Sequence, residues 1–215
     1  MDSSCRLRVF AVMLALGASV VGVRASELLD RVIAVVSGTV ITLSDARTAI
    51  AFGLVETRDA RDPVAVAMRW LVDRQLVLDE VNRYETPDPV LATVDPVFSE
   101  IRKKLAGGKG AASALASLGL DEDGARRFVR DTVRVQHYLR TRFESMLPGT
   151  DEELRQHYSA NKSQFVRDGR QFTLEEAGVL VQESLQESRR LQAIDAWLAR
   201  LRRRADVNEL YQPAR

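Results

Sequence analysis

The chain has 215 residues, with 31 Lys+Arg against 30 Asp+Glu, 46% hydrophobic and 6% aromatic residues, and one cysteine. That length corresponds to one domain or two small ones and that apolar fraction to a packed core, which excludes a disordered or collagen-like chain. A net charge of +1 supplies no broad field for nucleic acid or anionic lipid, a single cysteine excludes a disulfide framework or a multi-cysteine zinc site, and few aromatics argue against a stacking platform for single strands. The composition describes a soluble, helix-rich domain with no cofactor.

Arg6 and Arg8 precede an apolar run over residues 9–23 that ends at Val23-Arg24-Ala25, the order of a secretory signal with a small-residue cleavage site. Residues 1–25 are therefore expected to be a signal peptide. The run falls short of the roughly 20 residues a spanning helix needs, and no second apolar stretch competes, so no integral span is expected after cleavage. Retention as an uncleaved anchor is the alternative. Cys5 lies ahead of the run, the wrong side for a lipoprotein. Removing Arg6, Arg8, Arg24 and Asp2 with the signal leaves 28 basic and 29 acidic residues. The cysteine-free remainder has to hold together by core packing.

β-branched residues over 31–36 and 40–42 flank Ser37-Gly38-Thr39 and predict a hairpin, which alone is marginal in water and needs a third strand or a helix over it. Ser44 is expected to cap a helix over residues 45 to about 54. Asp62-Pro63 opens a longer helix through Arg83, whose apolar residues cover more than one face and mark it as central. Asp95-Pro96 opens a third helix carrying Val97, Phe98, Ile101 and Leu105. The Gly107-Gly108-Lys109-Gly110 run breaks the chain, and a short helix over residues 113–118 ends at Gly119. Asp121 begins a long helix to about Met146, with Phe128, Val129, Thr132, Val135, Leu139 and Phe143 in one stripe, stopped at Pro148-Gly149. Thr150 and Glu153 form a capping box for a helix through His157 and Tyr158. The last helix runs from about Leu174 to Arg204 on a stripe of Leu174, Ala177, Val181, Leu185, Leu191, Ile194, Leu198 and Leu201, and a β-compatible tail covers residues 205–211.

Motifs for chemistry are sparse. His137 and His157 have neither cysteine partners nor close spacing, so no metal site is expected. Lys109 is followed by Gly110, which fails the phosphate-loop pattern, and no Gly-x-Ser-x-Gly elbow is present. Arg200, Arg202, Arg203 and Arg204 lie where cations suit a helix C-terminus, with contact to acidic surfaces as the rival reading; Glu152, Glu153, Glu175 and Glu176 lie where anions suit a first turn. No catalytic residue is assigned.

Taken in order, ELLDRVIAVVSGTVITLSDA, MRWLVDRQLVLDEVNR, ALASLGLDEDGARRFVRDTVRVQHYL, TDEELRQHYSANKSQF and AIDAWLARLRRRADVNEL resemble the chaperone domain of SurA-type periplasmic proteins, over essentially all of residues 26–215. The resemblance implies a mostly α-helical fold with a small hairpin or three-stranded sheet. In it residues 26–165 and 174–211 form one discontinuous unit, and the tail adds a strand to the hairpin. It departs from the family in one respect: only residues 166–173 occupy the place where parvulin-type prolyl isomerase domains follow in full-length members, too few for such a domain.

The function implied is that of an ATP-independent periplasmic holdase for unfolded outer-membrane or other exported polypeptides, without nucleic acid or cofactor. Met68, Leu71, Phe98, Ile101 and Phe128 are the candidate client-binding residues, with plain core packing as the competing reading for each. A prolyl isomerase by family and a dedicated binding subunit of an envelope complex are the other functional readings. Exchange of the terminal helix into a homodimer stays open.

Overall fold

The computed structural model describes residues 30–84, 91–107, 110–144 and 149–213. The expected signal peptide, Met146 and Pro148 lie outside them. The described chain is mostly helical with a small antiparallel sheet. In order it forms β1 (Val32–Val36), β2 (Thr39–Thr42), α1 (Leu43–Ala51), α2 (Pro63–Arg83), α3 (Leu91–Leu105), α4 (Ala111–Ser117), α5 (Glu122–Arg142), α6 (Asp151–Ala160), a 3-10 turn (Lys162–Phe165), β3 (Val166–Arg167), β4 (Arg170–Gln171), α7 (Leu174–Arg204) and β5 (Val207–Glu209).

The predicted hairpin forms with Ser37 at φ 48° and Gly38 at φ 87°. Two positive φ values make the primed turn whose twist matches the strands. Its missing partner is the tail, as expected: β5 pairs antiparallel with β1 (Ala34↔Glu209, Val35↔Asn208, Val36↔Val207) and the sheet order is β2-β1-β5. The β1–β2 register slips between Val32 and Ala34, and there two successive residues, Ile33 and Ala34, are both fully buried, as a bulge permits. Tyr211 then donates from its hydroxyl to Asp62 at 3.2 Å, tying the tail to the N-cap of α2.

The helix boundaries follow side-chain capping. Asp62 accepts from the Ala65 amide with Pro63 in the first turn, and Asp121 accepts from the Gly124 amide. Thr150/Glu153 and Thr173/Glu176 close reciprocal capping boxes at α6 and α7. Three expectations shift. The cap of α1 is Thr42, because Asp45 stands three residues on and its carboxylate accepts from the Thr42 amide; Ser44 bonds Asp30 instead, and Gly53 at φ 65° ends the helix early. The third helix starts at Leu91 with Pro96 inside it. One proline forfeits one backbone bond, and burial of Val94 beside Phe98 and Ile101 holds the preceding turn. Residues 166–173, expected only as a short separator, make a minimal hairpin over Asp168 (φ 51°) and Gly169 (φ 75°).

Two clusters fill the main body. The larger joins the sheet to α2, α5 and the C-terminal half of α7 through Ile33, Val36, Leu71, Val72, Val77, Tyr138, Trp197 and Leu201. The second lies under α3 and α4, with Phe52, Val94, Phe98, Ile101, Leu115 and Val129. A third, small cluster sets Phe165 against Ala177 and Val181, with Leu154 and Tyr158 packed on it.

Helix α7 is therefore shared between two bodies. Its N-terminal half buries Ala177, Val181 and Leu185, and its C-terminal half buries Ile194, Trp197 and Leu201. The nine positions from Leu185 to Ile194 advance a helix by about two and a half turns, so the two buried faces point to opposite sides. Over a length of about 46 Å, α7 acts as a strut. It is clamped to α2 where Arg202 Nε donates to Asp73 at 2.7 Å and its Nη2 to the Arg69 carbonyl at 3.3 Å. The bond to Asp73 raises the Arg202 pKa above its ordinary value. One arginine of the C-terminal cluster thus contacts an acidic group of its own chain.

Candidate binding surface

Helix and sheet geometry leave a cleft of about 330 Å³ where β2 passes α2 and α5, lined by Val40, Ile41, Leu71, Arg74, Phe128 and Asp131 among others. β2 is an edge strand, and on it Val40 is 50% exposed while Ile41 is buried, the alternation of a strand with one wet face. At the back of the cleft the Arg74 guanidinium lies 4.5 Å over the Phe128 ring. It donates to the Thr132 hydroxyl at 3.2 Å and to the Phe128 carbonyl at 3.0 Å, and stands 3.8 Å from Asp131. Burial lowers its pKa from the ordinary arginine value, opposed by the charges of Asp131 and Asp45. Cation, ring and carboxylate satisfy one another and fix the orientation of Phe128.

Of the five residues proposed from sequence, Met68 and Leu71 lie in the larger core and Phe98 and Ile101 in the second, each buried; Phe128 is half-buried between the two. Leu71 and Phe128 meet in the β2 cleft. Phe98 reaches a second cleft, of about 320 Å³, whose cations are engaged: Arg126 pairs with Asp95 and stacks on Phe98, and Lys103 pairs with Glu100 at 2.6 Å. Met68 and Ile101 appear in neither cleft. The large apolar residues chosen at helical spacing are mainly what the two cores are made of.

A further exposed apolar surface, outside the five candidates, lies on α7. Val179 is 73% exposed and Leu180 and Leu191 about half exposed; Val179 faces away from Ala177, Val181 and Leu185, and Leu180 and Leu191, in line with each other, lie on the flank between the two buried faces. Leu191, expected within the buried stripe, stands out because the buried face changes sides at that level, and Trp197 takes the buried position instead. A cleft of about 230 Å³ sits where this open face meets the end of α5, lined by Phe143, Glu144, Glu183, Gln186, Glu187 and Arg190. The signal was present in the sequence: Val179-Leu180 next to Val181 gives α7 more apolar residues than one stripe can hold.

The polar groups of the small body join its elements. Asn161 Nδ2 donates to the His157 carbonyl at 2.9 Å and lies 3.4 Å from His157 Nδ1, and His157 Nε2 lies 2.9 Å from the Ser184 hydroxyl. Ser184 in turn donates to Gln164. The His157–Ser184 pair links α6 to α7. Among the described residues no group of three or more His, Cys, Asp or Glu stands in position to hold a metal ion, and no helix is long and apolar enough to cross a membrane. In comparisons with models of protein families and with curated proteins, the chain has no match.

Proposed function

We propose that this chain is an ATP-independent chaperone of the periplasm that holds unfolded outer-membrane or other exported polypeptides. The observation that carries the reading is the open face of α7, where Val179, Leu180 and Leu191 remain exposed on a helix that buries other apolar side chains against two bodies. Large aliphatic side chains held outside a completed core are a site for transient apolar contact. Each contact is worth only roughly 25 cal/mol per Å² of apolar area buried, and several such sites along one extended client add up through effective concentration. Weak, multiple contacts also let the client leave without ATP.

The prolyl isomerase alternative is disfavoured by the fate of residues 166–173, which form the two-residue strands β3 and β4 and their turn where a parvulin-type domain would have to stand. A dedicated subunit for one folded partner is the remaining rival. The test is to dilute a urea-unfolded β-barrel protein into residues 26–215 and separate the mixture by size exclusion without nucleotide. Co-elution with the unfolded client, and none with the same client folded in detergent, is expected. Co-elution only with a folded partner would overturn the reading in favour of a dedicated subunit, and acceleration of a proline-limited refolding reaction would restore the enzyme.

A further inference from the structure

The open face of α7 carries a charge pattern as well as apolar groups. Counting along the helix, Val179, Glu183, Gln186 and Arg190 form one row, and Leu180, Glu183, Glu187 and Leu191 the adjoining one, at the i+3 and i+4 spacings that make neighbours. Phe143 and Glu144, at the end of α5, wall the inner end. Three carboxylates therefore meet one guanidinium. Arg190 is bound twice by Glu187, at 2.7 Å each, and that bonding lowers the Glu187 pKa. Glu144 and Glu183, both exposed, stand in no salt bridge among the described residues and leave negative charge in the cleft. Arg142, next to Phe143, sits over the Trp197 ring at 5.1 Å and bonds the Tyr138 hydroxyl at 3.4 Å, outside the residues that line the cleft.

We infer that this corner selects cationic apolar segments: unfolded stretches in which Lys or Arg alternates with large apolar side chains, the cations meeting Glu144 and Glu183 and the apolar groups covering Val179, Leu180 and Phe143. The inference rests on the chaperone reading and names the client chemistry of its main exposed face. Opposite charge at the rim of an apolar patch chooses between partners more than it adds affinity. An acidic stretch of equal hydrophobicity is accordingly excluded.

The test is fluorescence anisotropy at low salt on the chain from residue 26, which keeps every described element. The probes are a labelled short peptide of alternating Leu and Lys and its Leu/Glu counterpart. The Leu/Lys peptide is expected to bind at least about tenfold more tightly, to weaken with added salt, and to lose about tenfold in affinity with Glu183→Lys and with Leu180→Ser. Both side chains are exposed, so melting of each variant is expected to match the unsubstituted chain; Val179→Ser serves if one does not. Equal binding of the two peptides, or variants that bind as the unsubstituted chain does, would overturn the inference. So would a sedimentation-detected dimer that Leu180→Ser dissolves, because the face would then belong to a second copy. The same variants, tested for retention of an unfolded barrel protein, separate the two ideas. Retention weakened by Leu180→Ser but unaffected by Glu183→Lys sinks the inference and leaves the chaperone, whereas no retention by the unsubstituted chain sinks the chaperone while the peptide titration still decides the site.

Discussion

At the scale of single residues, Trp197 is the aromatic side chain that α7 buries in the larger core. It is buried among Tyr138 at 6.0 Å and Phe143 at 5.7 Å, with Arg142 above it. Trp197→Ala is expected to cost about 3–5 kcal/mol, read as a lowered urea midpoint, and Leu191→Ser, on the open face, close to nothing. Equal costs would mean that α7 does not change its buried face. The sequence displayed an apolar repeat along α7 and misassigned these two positions for one reason: a stripe assumes a single partner, while this helix has two, on opposite sides. The cap of α1 was ambiguous for a similar local reason. Thr42 and Ser44 both offer hydroxyls, and only the bond from the Thr42 amide to Asp45 decides between them. Thr42→Ala is expected to cost about 1 kcal/mol, more than Ser44→Ala, in the same urea titration.

At the scale of elements, β5 supplies the third strand that the hairpin lacked, and its loss is a direct test. A chain ending at Arg204 loses the pairing with β1 and the bond from Tyr211 to Asp62. It is expected to melt lower by about 5 °C, a change of one to two kcal/mol in a chain of this length; an unchanged melting temperature would show the pairing to be incidental. The helix starts of the small body titrate. Glu153 is held below its usual carboxyl range first by the Thr150 amide, and Glu176 first by the Thr173 amide, with Arg189 and Arg170 adding to it. A carboxyl depressed on folding contributes stability above its unfolded pKa, about 4.3, and that contribution is lost as pH falls through the folded value. Hydrogen exchange in α6 and the first turns of α7 is therefore expected to rise on acidification below about pH 4, and less steeply in a Glu153→Gln, Glu176→Gln chain. Most element boundaries were legible because polar caps are local. The start of α3 was not, because the burial of Val94 against a distant helix outweighed the proline, and neither was the β3–β4 hairpin, whose strands are too short to show alternation although Asp168-Gly169 signalled its turn.

At the scale of the whole molecule, a main body built on two apolar clusters and a small body share the long helix α7. The order of elements and the pairing of β5 with β1 were readable from residue pattern and resemblance; the exposed apolar face of α7 was not. Met68, Leu71, Phe98 and Ile101 are large and apolar because two cores need filling, and periodicity cannot tell a residue that fills a core from one that waits at a surface. What makes α7 a candidate contact is where its partners stop, which is a property of the assembled fold. The measurement that bears most directly on a chaperone function is light scattering of a urea-diluted outer-membrane β-barrel protein in the presence of micromolar residues 26–215 without ATP. Dose-dependent suppression of aggregation is expected, which an inert folded protein at the same concentration does not reproduce and which Leu180→Ser weakens. Scattering that rises as fast with the folded chain as without it would contradict the account.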